Sequence, residues 1–431
     1  MINPKRNLII TCAALLLFLV PTTAAAQHIR GALEGTVKDQ NGGVVPGAKV
    51  SLKNATTGAV IDTATNEQGT FNFQNLEAGA YVLMVEKQGF RGYEEKDVTI
   101  KVGAVTPSSV VLQVGEAKET VTVVSTSGEA AVDTSRPTVD GVVTPRQIEN
   151  LPLNGRNFLD LAQQEPGVQA RDGGDFDPTK NQFVGVSIGG RSGRATRIQM
   201  DGVDITDETV GTTTTNLSNE SIQEFQVSRS TLDASTDLTS SGSINIVTRS
   251  GSNEFHGSGF VSFRDARWAS DLRLDKTKPT TTKPPFDRQQ GGGRVGGYLL
   301  KNRVFWHVEG ERNNQDGQQF TSTPDFPQFT KAFTVPLDED IFGARVDWKM
   351  TDKLHSFYRF NHDFNVGVTG FGGNSLAAFA NLNNTNSHVA GVDYSRGRWT
   401  HSVRFSYLNF NNFIIDANKA AGTPTTLDPA G

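Results

Sequence analysis

Cysteine is all but absent: the chain has one in 431 residues, and that one, Cys12, sits inside the apolar run Leu8 to Val20. Lys5 and Arg6 precede the run, Pro21 breaks it, and Ala24-Ala25-Ala26 before Gln27 offers small residues to a peptidase, so residues 1–26 read as a secretory leader. The run is too short for a spanning helix, which needs about 20 apolar residues. Once the leader is removed the chain has no thiol, which excludes disulfides and thiolate metal sites in spite of export. No second apolar run comes near that length, so a membrane-spanning helix is not expected. Histidine is scarce (7 residues), and His307, His355, His362 and His401 show no HExxH-like spacing. Lys and Arg (41) do not outnumber Asp and Glu (46), so no basic surplus suggests a nucleic-acid partner. No enzyme activity, metal or cofactor is expected. N-terminal sequencing of the exported protein should begin at Gln27 or within a residue or two, and recovery of intact Met1 would contradict the leader.

Glycine, by contrast, is abundant, at 44 residues. Short alternating stretches between Gly, Asn, Asp and Pro clusters make the chain mainly β, and its length implies about two or three domains. The first, residues 27–115, alternates strand and turn. Leu33 to Val37 leads into the turn cluster at Asp39 to Gly43. Val50 and Leu52 share one face, Phe71 and Phe73 another, then Tyr81, Leu83 and Val85, then Val98 and Ile100. Gly69, Gly79 and Gly89 fall where turns need positive φ. The pattern predicts a small β-sandwich. Gly35 to Asp39, Pro46-Gly47-Ala48, Thr57-Gly58, Gly69-Thr-Phe71, Gly79-Ala-Tyr81 and Gly89-Phe90 resemble the carboxypeptidase regulatory-like domain, a prealbumin-type, carbohydrate-binding-like sandwich. Peptidase activity is not implied, because the segment contains no histidine to serve as a zinc ligand.

Residues 116–137 are rich in Thr, Ser, Ala and Glu and read as a linker. It contains one β-prone run, Glu119, Thr120, Val121, Thr122, Val123, Val124 and Ser125. That run is either the last strand of the sandwich or a mobile strand that adds to the edge of a partner's sheet.

Residues 138–251 carry Leu151-Pro-Leu-Asn-Gly-Arg-Asn157, Val186-Ser-Ile-Gly-Gly-Arg191, Ile198-Gln-Met-Asp-Gly-Val-Asp204, Ile222 to Val227 and Gly242 to Thr248, in that order. Order and spacing together resemble the plug domain of TonB-dependent receptors of the Oar-like kind. The resemblance departs at Leu232 to Ser241, where an aromatic and a glycine would be usual. Two short helices are predicted, Pro145 to Asn150 and Asn157 to Gln164, the second capped by Asn157. Strands are predicted at Phe183 to Ile188, Arg197 to Asp201, Phe225 to Ser228 and Ile244 to Thr248, and Asp201-Gly202 is a hairpin turn signal. Arg191, Arg194 and Arg197 are expected to face acids on a barrel wall. Asp201, Asp204, Asp207 and Glu208 lack the spacing of a calcium loop, and Gly291 to Gly296 matches GxGxxG without the strand–turn–helix context of a dinucleotide site.

In residues 252–431, aromatics and aliphatics alternate with charge. Val304, Trp306 and Val308 oppose His307, Glu309 and Glu311; Phe342, Ala344, Val346 and Trp348 oppose Arg345, Asp347 and Lys349; Val403, Phe405 and Tyr407 oppose Ser402, Arg404 and Ser406. A barrel strand needs about 9–11 residues, apolar toward lipid and polar toward the lumen. Short polar turns (Leu300 to Arg303, Lys349 to Lys353, Ser395 to Arg398) alternate with expected long loops at Arg264 to Gln290, Asn313 to Glu339 and His362 to Ser387. Seven strands are counted, against about 22 in a plugged transporter, so this part reads as an incomplete antiparallel outer-membrane β-barrel and the chain as an N-terminal portion of one. Lumen-facing Arg345 and Arg404 are expected to tolerate replacement.

The resemblance implies an outer-membrane receptor, its sandwich in the periplasm, taking up a scarce solute such as an oligosaccharide, peptide or metal chelate. It implies that the run Glu119 to Ser125 is the coupling strand offered to the C-terminal domain of TonB, within the TonB-ExbB-ExbD system. Outer-membrane lipid and an extracellular substrate would be the other partners, with no nucleic acid. An adhesion or protein-secretion component, or a periplasmic carbohydrate-binding module, is the alternative.

Overall fold

The structure is a computed structural model that describes residues 31–101, 105–115, 120–124, 140–173, 180, 183–229, 239–268, 285–321, 331–351, 353–370, 378–396 and 399–416. The expected leader, residues 232–238 of the departing stretch Leu232 to Ser241 and most of the linker lie outside the described residues.

The sandwich is built from β1 (Gly31–Asp39), β2 (Lys49–Asn54), β3 (Val60–Ala64), β4 (Thr70–Leu76), β5 (Gly79–Glu86), β6 (Gly92–Ile100), β7 (Val105–Leu112) and β8 (Thr120–Val124). One sheet runs β4-β1-β7 and the other β3-β2-β5-β6-β8. The alternation read from the sequence is what makes two sheets stick: Leu33, Val50, Leu52, Phe71, Phe73, Leu83 and Val85 interlock in one core. Burying each such side chain contributes about 1.5–3 kcal/mol. Gly69 has φ 69°, and a Cβ there would lie 2.9 Å from the Val37 carbonyl oxygen. Gly69→Ala is therefore expected to cost the sandwich about 1–3 kcal/mol, read as a lower unfolding temperature of that domain. Strands β3 and β7 were not among the predicted elements; β3 is largely exposed and β7 carries Pro107, so neither shows clean alternation.

The segment expected to form a plug, called the plug below, follows with β9 (Asp140–Val143), helix α1 (Pro145–Asn150), a 3-10 turn (Phe158–Gln164), β10 (Val168–Asp172), β11 (Val184–Ile188), β12 (Thr196–Met200), β13 (Val203–Asp204), β14 (Thr206–Asp207), β15 (Thr212–Thr213), β16 (Ile222–Ser228) and β17 (Gly242–Thr248). Helix α1 starts with a capping box between Thr144 and Gln147, and the 3-10 turn is capped by Asn157, whose Oδ1 accepts from Leu159 N at 3.0 Å. A five-stranded sheet, β13-β12-β17-β16-β9, packs over Phe158, Leu159, Leu161, Ile198, Phe225 and Ile246. The hairpin β12–β13 turns on Asp201-Gly202, both with positive φ (51° and 80°), the geometry a two-residue hairpin requires.

Seven strands then form one antiparallel sheet in sequence order: β18 (His256–Asp265), β19 (Asp287–Leu300), β20 (Val304–Thr321), β21 (Lys331–Lys349), β22 (Leu354–Gly370), β23 (Ala378–Arg396) and β24 (Trp399–Asp416). The faces fall as predicted: Val346, Trp348, Val403, Phe405 and Tyr407 are exposed on the outer side, while His307, Glu309 and Glu311 are buried on the lumen side. Among the described residues no helix is long and apolar enough to cross a membrane. One expectation is corrected. Most of the stretch taken as the loop Asn313 to Glu339 is strand, with β20 and β21 paired out to Thr321↔Lys331, and β22 and β23 likewise pair out to Gly370↔Ala378. The five last strands have 17–19 residues, well over the 9–11 or so a bilayer needs. Beyond the bilayer both faces of the wall meet water, so hydrogen-bonded strand no longer requires apolar residues, and an Asn- and Gln-rich composition conceals it.

Candidate functional site: the seam between plug and wall

Asp201 is the centre of the plug's attachment to the wall. The left-handed turn that closes β12–β13 aims its carboxylate back across β17, where Thr248 N and Oγ1 donate to Oδ1 and Oδ2 at 3.0 and 2.8 Å. From the lumen face, Arg345 Nη1 lies 3.1 Å from Oδ1 and Arg359 Nε 2.9 Å from Oδ2. The second contact is off-axis, so it is an ion pair rather than a directed hydrogen bond. Arg404 Nε donates to the Asp201 carbonyl at 3.2 Å, and its Nη2 pairs with Asp393 at 2.9 Å. Arg345 also holds Asp347 at 2.7 Å. Asp201 and Arg359 are each 3% exposed, so charge here is stable only while its partners stay in place.

Burial acts to raise the Asp201 carboxyl, but Arg345, Arg359 and the Thr248 donors outweigh it and hold it below the usual aspartate range. A depressed folded-state value contributes stability above the unfolded value, lost only as pH falls through the folded one. Protection of the plug from protease is therefore expected to stay flat from neutrality down to about pH 4; loss near pH 6 would contradict it.

A second set of charges lines the seam lower down. Glu149 of α1 accepts from Arg294 of β19 at 2.8 Å and from Arg249 at 3.1 Å. Arg156 pairs with Glu220 at 2.9 Å and stacks 3.7 Å over the Phe260 ring, and Ser258 donates to Glu220 at 2.8 Å. Burial and the neighbouring Arg294 bring Arg249 down to about 10, so it remains charged at neutrality. Higher up, the segment Thr214 to Ser218 rests on wall carboxylates and amides. Asn216 N donates to Asp363 at 2.7 Å and its Nδ2 to Glu339 at 2.9 Å, Ser218 donates to Glu311 at 2.5 Å, and Asn361 donates to Thr215 at 2.9 Å. No disulfide can reinforce these contacts. The plug is thus held sideways by polar contacts that are individually reversible. Among the described residues no group of three or more His, Cys, Asp or Glu could hold a metal.

Of the arginines expected to face the wall, Arg197 instead pairs within the plug, with Asp204 at 3.0 Å and Glu208 at 2.8 Å, and Arg191 donates to the Ser240 carbonyl. Arg197 stays with the acids next to its own hairpin because they are nearest, whereas Arg156 does reach a wall carboxylate, Glu311 of β20, at 3.8 Å. Arg345 and Arg404, expected to tolerate replacement, both contact Asp201, so their replacement is expected to loosen the plug. Of the coupling run, Thr120 to Val124 forms β8, paired in parallel with β6 from Gly92↔Thr120 to Lys96↔Val124, whereas Glu119 and Ser125 lie outside the described residues.

Residues 32–113 match the carboxypeptidase regulatory-like domain and residues 247–332 match an outer membrane beta barrel domain. The chain is 26% identical over 262 residues to the TonB-dependent transporter Oar of Myxococcus xanthus, a match covering 56% of this chain and 23% of that protein. The chain thus spans about a quarter of that relative's length. Among solved structures, it is similar to the outer membrane transporter YddB from Escherichia coli, at 12% identity and a TM-score of 0.48 over 62% of this chain and 38% of that one. It is also similar to the siderophore receptor PirA from Pseudomonas aeruginosa, at 13% identity and a TM-score of 0.45 over 64% and 41%.

Proposed function

We infer that this chain is part of a TonB-dependent receptor of the outer membrane, as its similarity to such a transporter and to an outer membrane beta barrel domain supports, and that it keeps its lumen closed by a plug that an inner-membrane partner can pull away from the wall. The observation that carries this reading is the position of Asp201, a plug carboxylate held by lumen-face arginines of a wall whose other face is apolar. A scarce solute would bind on the outer side and pass when the plug moves. The C-terminal domain of TonB would engage the run Glu119 to Ser125, and tension would reach the plug through β9. That strand is the last of its sheet, held by only the four pairs Val143↔Phe225 to Asp140↔Ser228. It is therefore the first element to feel a pull from the N-terminal side.

The test uses the full-length receptor in cells. Strand addition rests on main-chain hydrogen bonds, so Val121→Pro or Val123→Pro, which each remove an N–H donor, should abolish energy-dependent uptake. Thr122→Ala should leave it within about two-fold, because side chains contribute little to such pairing. Ligand binding at the outer face should survive all three. Normal uptake by the proline variants would favour an adhesion or secretion role without transport.

A further inference from the structure

The coupling run is not loose in this structure: its central five residues are the edge strand β8 of the sandwich, hydrogen-bonded on one side to β6. We propose that the sandwich presents β8 as a ready-made docking edge, to which the partner's strand adds on the open side while β8 stays paired with β6. The inference rests on the coupling reading above and gives the sandwich a part in it. Three observations carry it. First, β8 ends the order β3-β2-β5-β6-β8, and among the described residues no strand lies beyond it. Second, exposed edges are normally guarded by a charge or a proline, because a bare one recruits foreign strands. Of the three other edges of the sandwich, β3 carries Asp62 and β7 Pro107, while β4 (Thr70–Leu76), like β8, carries neither charge nor proline. Thr120-Val-Thr-Val-Val124 has no charge, proline or glycine. Third, a strand already fixed on β6 has met its ordering cost before the partner arrives, so the partner's affinity is not reduced by it. Sandwich, β8 and partner would then form one continuous sheet.

The register supplies the test. Glu94 of β6 stands opposite Thr122 of β8, a neighbour spacing that suits a disulfide. Cys12 is the single cysteine of these 431 residues, so in this chain with Cys12→Ser, Glu94→Cys and Thr122→Cys supply the only two thiols. The full chain carrying both is purified, oxidised or reduced, and titrated with the TonB C-terminal domain. The proposal expects the disulfide to form readily and the oxidised form to bind at least as tightly as the reduced one. Three outcomes overturn it. If the thiols stay free under oxidation, β8 does not rest on β6. If oxidation weakens binding ten-fold or more and reduction restores it, the strand must peel off the sandwich to be recognised, and the coupling reading survives without the docked edge. If Val121→Pro in the unstapled chain binds as tightly as the parent, the run is not the coupling strand and both readings fall.

Discussion

Replacing Asp201 with asparagine is expected to release the plug from the wall at a cost of about 3–5 kcal/mol, the penalty for stripping one partner from a buried ion pair. The change keeps the shape of the side chain and leaves Thr248 with an acceptor, so the hairpin itself should still close. What it removes is the negative charge facing Arg345 and Arg359, at 3.1 and 2.9 Å. Arg345 keeps Asp347, but for Arg359 the ion pair with Asp201 is lost. The expected readouts are faster protease cleavage of the plug in the membrane-inserted full-length receptor and a rise in passive leakage of small solutes. Arg359→Met, which removes the facing charge in turn, should partly restore tightness in the double variant. Unchanged protease protection in Asp201→Asn would show that the lower seam around Glu149 and Glu220 suffices.

The second large effect concerns the outer face of the wall. Val346→Arg or Phe405→Arg would place a guanidinium against lipid and should cost about 2–4 kcal/mol near the midplane. Both residues are exposed on that face, at 40% and 68%. Ser406, next in sequence to Phe405, points to the lumen, and Ser406→Arg should insert normally. The fraction of full-length receptor migrating as a folded, heat-modifiable species in outer-membrane extracts measures this directly. Equal yields for Phe405→Arg and Ser406→Arg would reverse or erase the assigned faces.

The faces of the wall were readable because alternation is a local property: each residue's side follows from its neighbours two positions away. Turns were readable for the same reason, and Asp201-Gly202 announced its hairpin. The role of Asp201 was not, because its partners Arg345 and Arg359 stand more than 140 positions later, and no local pattern links them. Arg345 and Arg404 therefore read as generic lumen polar residues. The opposite error befell Arg197, where a cluster of like charge suggested the wall although Asp204 and Glu208 of the plug lay closer. Extension of the strands past the bilayer was hidden for a compositional reason, since pairing such as Asn314↔Asp338 uses residues that elsewhere mark loops. The run Glu119 to Ser125 was legible as β-prone; that its residues Thr120 to Val124 lie beside β6 depends on a partner that they do not themselves specify.

The most direct measurement follows the plug itself during coupling. Asn216 is 3% exposed and hydrogen-bonded to wall residues Glu339 and Asp363. In the full-length receptor, Asn216→Cys places a single thiol at that contact, and a membrane-impermeant maleimide reports whether it becomes open. Labelling should be slow in de-energised cells and rise several-fold in energised cells given ligand, and that rise should vanish when Val121→Pro is added. Labelling that is equally fast with and without energy, or that rises equally in the proline variant, would contradict a plug moved through this chain's coupling strand.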